Sequence, residues 1–111
     1  MSFNKEWDKF QKEVYANAKD KGFWDDDRND GELICLMHAE LSEALESLRK
    51  GSPPDEKCPA FTNLEVEMAD VVIRIMDYAE ARGLRLPEAM AAKHAYNKTR
   101  PRKHRKKVLN V

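Results

Sequence analysis

The chain has 111 residues, of which 41% are hydrophobic and 36% charged, with only four glycines; this is the size of one domain, and the composition points to a helical protein rather than a disordered or membrane chain. No apolar run approaches the roughly 18 residues of a membrane span, and the opening MSFNKEWDKF is no signal peptide, so the expectation is a soluble, cytoplasmic protein with no membrane partner. The formal charge is zero, yet residues 93–111 hold eight Lys or Arg and no acid, which makes an acidic body with a basic tail.

The hydrophobic spacing predicts four helices and no strand alternation long enough for a sheet. The first runs from about Phe3 to Asp20 with Phe3, Trp7, Phe10, Val14 and Ala18 on one stripe, and breaks at Gly22. The second begins at Asn29, which fits a capping box with Glu32, and ends at Gly51, before the loop GSPPDEKCPAF. The third starts at Thr62, paired with Glu65 in the same spacing, and stops at Gly83. The fourth opens with Pro87 in its first turn and ends before Pro101, because the residue preceding a proline disfavours the α region. The expected architecture is therefore all-α: a single four-helix domain over 1–111, with 98–111 as a basic arm. Cys35 and Cys58 lack a CxxC spacing or a second close Cys/His pair, so free thiols are expected rather than a disulfide or zinc.

Two acid pairs stand out. On the second helix Leu33, Ala44, Met37, Leu48, Leu41, Ile34 and Leu45 fill one continuous stripe, with Glu40 at its edge and Glu43 one step further round. On the third, Tyr78, Val71, Leu64, Ile75, Met68, Ala79 and Val72 make the stripe, with Glu67 at its edge and Asp70 one step beyond. Antiparallel helices packed face to face keep equivalent flanks on the same side, so the pairs should converge, about three residues or roughly 4.5 Å apart in level. Four converging carboxylates either protonate or bind cations, and an all-oxygen set suits Mg²⁺, with Mn²⁺ as a substitute.

The motif Glu40-x-x-Glu43, followed after 23 residues by Glu67-x-x-Asp70, resembles the signature of the MazG-like all-α nucleoside triphosphate pyrophosphohydrolases, relatives of dimeric dUTPases and dCTP pyrophosphatases. KHAYNKTRPRKHRKK at residues 93–107 is similar to that family's closing helix. The resemblance implies a MazG-like bundle that hydrolyses (d)NTPs to monophosphate and pyrophosphate in nucleotide-pool house-cleaning. It implies that Glu40, Glu43, Glu67 and Asp70 hold Mg²⁺, with Glu43 chosen as the carboxylate that takes the proton of the attacking water. It also implies that Lys93 and Arg100 bind phosphate charge while Asn97 orients a phosphate or water. These three share one helix face by their i, i+4, i+7 spacing.

The base and sugar need an apolar wall, for which Trp7, Phe10, Trp24 and His38 are candidates, although aromatic residues at helical spacing are more often core than pocket and His38 is at least as readily structural. A homo-oligomer, dimer or tetramer, is expected because Val66 and Ile73 project opposite the main stripe of the third helix with Met76 between, and an apolar second face needs cover. The alternative function is a non-catalytic module whose arm grips nucleic acid. It rests on charge alone, and the acidic body would repel a phosphate backbone.

Overall fold

The structure, a computed structural model, describes residues 2–102. It is all-α, with four helices: α1 (Phe3–Asp20), α2 (Asp30–Arg49), α3 (Asn63–Arg82) and α4 (Leu86–Lys98). Among the described residues the only extended pairing is an isolated bridge between Pro54 and Thr62. Residues 103–111, most of the expected basic arm, lie outside the described residues.

Local chemistry sets the helix ends. Ser2 caps α1 by accepting from the Lys5 N–H at 3.1 Å. Thr62 and Glu65 close the expected box at α3: the Thr62 hydroxyl accepts from the Glu65 N–H, and the Glu65 carboxylate accepts from the Thr62 N–H at 2.8 Å. At α2 only half of the expected box forms. Asn29 accepts from the Glu32 N–H, but the Glu32 carboxylate turns to Arg28, 3.5 Å away, because a full positive charge is a better partner than a neutral amide. Gly83 ends α3 at φ 67°, a left-handed conformation that a Cβ would penalise.

α3 is the central helix, packed most extensively against α2 and on another side against α1, while α4 meets α1. Glu40 lies beside Arg74 and Asp30 beside Arg82, so α2 and α3 run antiparallel, as the convergence of the acid pairs requires. A relay ties α1 to α3: the Trp7 indole N–H donates to Gln11, which is buried and whose amide donates to Glu80.

The buried side of α2 differs from the expected stripe. Leu33, Ala44 and Ser47 are buried, while Ile34, Leu41, Leu45 and Leu48 are 43–57% exposed. At 100° per residue the contact face is turned roughly 60° from the centre of the apolar stripe, toward Glu40. Small Ala44 and Ser47 permit close approach of the helices, and the Glu40–Arg74 pair fixes the rotation. Met76, expected on an uncovered second face of α3, is buried instead, since α1 packs there. Val66 is half-buried against the acid-lined cavity, and Ile73 lines the groove beside α1.

Candidate functional site

The acid pairs converge. Glu40, Glu67 and Asp70 each offer a carboxylate oxygen, and these oxygens all lie within 4.8 Å of one another, on half-buried side chains. Glu43 stands just outside, exposed, facing Glu40 and lining the same cavity. Its position one step further round α2 swings it toward solvent, so the close set has three members rather than the expected four.

The charges respond to this crowding. Hydrogen bonding with Glu40, which needs a shared proton, holds the Glu43 carboxyl above its ordinary range, and the charge of Glu67 adds to the effect. Desolvation raises Glu67 and Asp70, with the charge of Glu40 pushing each further, while Arg74 pulls Asp70 back. The Arg74 Nε donates to the Glu40 carboxylate at 3.0 Å and so gives that residue a partner the others lack.

Two cavities meet at this cluster. One, a groove of about 600 Å³ between α1 and α3, is lined by Phe10, Phe23 and Ile73 on its apolar side and by Glu40, Asp70, Arg74 and Asp77 on its polar side. The other, about 510 Å³, lies under the α2–α3 loop and is lined by Glu40, Glu43, Glu67, Asp70, Asp55 and Lys57 among others. Glu40 and Asp70 belong to both. Asp55 is buried and anchors the loop: its carboxylate accepts from Asn63 at 2.8 Å and from the N–H groups of Lys57 and Cys58, and these bonds lower its pKa. With its lone pairs engaged, Asp55 shapes the wall of the cavity.

No family model, curated protein or solved structure matches the chain. Function is therefore read from these side chains.

Three carboxylates whose oxygens lie within 4.8 Å of one another form an all-oxygen set that suits a hard divalent cation, so Glu40, Glu67 and Asp70 would hold Mg²⁺, with Glu43 lining the same cavity. Both exposed cysteines are poor partners for so hard a cation.

The other expected site residues separate. Phe10 lines the groove and is half exposed, as an apolar wall for a ligand would be. Trp7, Trp24 and His38 do not line it. Trp7 belongs to the α1–α3 relay, Trp24 donates its indole N–H to Asp77 at 2.9 Å, and His38 points outward from α2. Lys93, Asn97 and Arg100 are exposed on and just beyond α4, and line neither acid cavity. Lys93 and Asn97 lie one turn apart on α4, but the helix ends at Lys98, so the face expected to include Arg100 does not extend to it, and α4 packs toward α1, apart from the carboxylates.

Arg74, Asp77, Phe23, Asp55 and Lys57 were missed from sequence as members of the site. Glu67, Asp70, Arg74 and Asp77 recur at three- and four-residue spacing, so Arg74 and Asp77 could have been found as continuations of the acid flank. Phe23 had no such signal, because a loop after α1 brings it to the groove.

Proposed function

We propose that the chain is a divalent-cation-dependent nucleoside triphosphate pyrophosphohydrolase, cleaving (d)NTPs to the monophosphate and pyrophosphate. The carrying observation is the meeting of two cavities at Glu40 and Asp70, within a carboxylate triad whose oxygens lie within 4.8 Å of one another. A groove of about 600 Å³ with an apolar side is of the size that holds a small organic ligand. The adjoining cavity, rich in oxygen and bearing Lys57, suits a cation-bound polyphosphate. This is the activity that the resemblance to MazG-like enzymes implies.

Glu40, Glu67 and Asp70 would hold the cation, which when bound neutralises triphosphate charge and activates water. Glu43, exposed beside Glu40 in the same cavity, would accept a proton from water attacking the α-phosphorus as the bond to the β-phosphate oxygen breaks. Phe10, Phe23 and Ile73 supply an apolar wall for base and sugar. The runner-up, a nucleic-acid module, depends on an arm that lies mostly outside the described residues.

The deciding experiment offers canonical and modified NTPs and dNTPs to the purified chain with Mg²⁺ in ¹⁸O-labelled water. The expected products are pyrophosphate and labelled monophosphate. Orthophosphate as the labelled product, or no turnover of any nucleotide, overturns the reading.

A further inference from the structure

Arg74 leaves the middle of α3 among the carboxylates of Glu40, Asp70 and Asp77, and among the described residues it is the one cationic side chain lining the α1–α3 groove. Its Nε donates to Glu40 at 3.0 Å, its only hydrogen bond among the described residues. A guanidinium carries five N–H donors in a rigid plane, so the donors on both Nη atoms remain unspent. The carbon of the guanidinium lies 5.9 Å from the centre of the Phe23 ring, which borders its range of movement. Its side chain is 36% exposed, whereas that of Glu40 is 13% exposed, so the pair has one sheltered end and one open end.

An acid cluster alone repels a triphosphate, and Lys93, Asn97 and Arg100 do not line either cavity of their own chain. A cation at the junction is what an anionic ligand requires, and a planar fork suits phosphate oxygens better than an ammonium does. We propose that Arg74 bridges the two halves of the site, its Nε holding Glu40 in place as a cation ligand while its Nη donors bind an oxygen of the substrate's phosphate chain. The inference rests on the pyrophosphohydrolase reading above. Because one guanidinium touches both, cation and polyphosphate binding are coupled, and each strengthens the other equally.

The test is calorimetric titration of the full-length chain, wild type and the variants Arg74→Lys and Arg74→Gln, first with Mn²⁺ alone and then with the Mg²⁺ complex of tripolyphosphate. Mn²⁺ affinity should stay within about threefold in both variants, because in the Gln variant the lost hold on Glu40 and the lost repulsion of the incoming cation oppose one another and the Lys variant keeps its charge, while tripolyphosphate binding should weaken about 30-fold in the Gln variant, the worth of charge-assisted hydrogen bonds. The Lys variant should recover only part of that loss, because it restores charge without the fork. Circular dichroism checks the fold, and if the Gln variant does not fold, the Lys variant carries the test. Tripolyphosphate binding within threefold of wild type in a folded variant with intact Mn²⁺ binding overturns the role of Arg74 and leaves the site reading standing. A wild-type chain that takes up no Mn²⁺ overturns the site reading and this inference together.

Discussion

Crowded carboxylates differ in what removing each one should do. Glu67 and Asp70 are raised by burial and by the charge of Glu40, so Glu67→Gln or Asp70→Asn should raise the melting temperature of the metal-free protein by a few degrees while abolishing Mg²⁺-dependent turnover. Glu40 is different, because Arg74 bonds it. Glu40→Gln should destabilise by about 1 kcal/mol, the worth of a partly exposed charged pair, and a stabilised Glu40→Gln would contradict the pairing. The same shifts fix a pH dependence. A carboxyl raised on folding binds more protons in the native than in the unfolded state, so its contribution to stability is full below the unfolded pKa and is lost as pH rises through the folded one. Glu43, Glu67, Asp70 and the buried Asp77 all act in this sense. Asp55 and Glu65, lowered by their hydrogen bonds, act in the opposite sense and lose their contribution in acid. Thermal melts of chelator-treated protein should therefore rise as pH is lowered from neutrality toward the ordinary carboxylate range and fall again in stronger acid, with Mg²⁺ flattening the first limb. A metal-free melting temperature that does not rise as pH is lowered from neutrality toward the carboxylate range would falsify the crowding. At this scale the acids were legible because two ExxE/ExxD pairs on matched flanks are a geometric statement. Asp55 and Phe23 were not, because loop residues owe their position to the path of the chain rather than to a period.

Helix boundaries were legible for a related reason: caps are local chemistry. The Thr62–Glu65 box and the left-handed Gly83 terminate α3 where the sequence places them. Thr62→Ala removes the hydroxyl acceptor and strands the Glu65 N–H, so urea unfolding should lose about 1 kcal/mol with an unchanged slope; an unshifted midpoint would mean the box contributes nothing. Which side of a helix meets its neighbour was less legible. The apolar stripe of α2 is broader than the strip its partner covers, and hydrophobicity alone cannot tell an internal contact from an external one. α4 was legible as a helix but not as to its place, since its residues other than Leu86 and Pro87 are exposed and no buried stripe fixes its rotation.

The whole molecule has two unlike sides. Ile34, Leu41, Leu45 and Leu48 on α2, with Met68 and Val72 on α3, lie roughly 110–170° round their helices from the acids, and all are 42–57% exposed. The Cα radius of gyration is 17.0 Å, against roughly 13 Å for a compact chain of this length. An open apolar side of this extent is expected to be covered by a second copy, through these residues rather than through Val66 and Ile73. Sedimentation at micromolar concentration should show a dimer or larger, and Leu41→Glu with Leu45→Glu should yield monomers; a wild-type monomer at tens of micromolar refutes this. A body that is charged on one side and oily on the other is also a surfactant. Diluted below the dissociation constant of the dimer, the protomer should collect at an air–water or oil–water boundary, carboxylates toward the water, and lower surface tension more than the doubly substituted variant does. Losses to vessel walls at high dilution would follow from the same two-sidedness, and so would their disappearance once the oily sides have met.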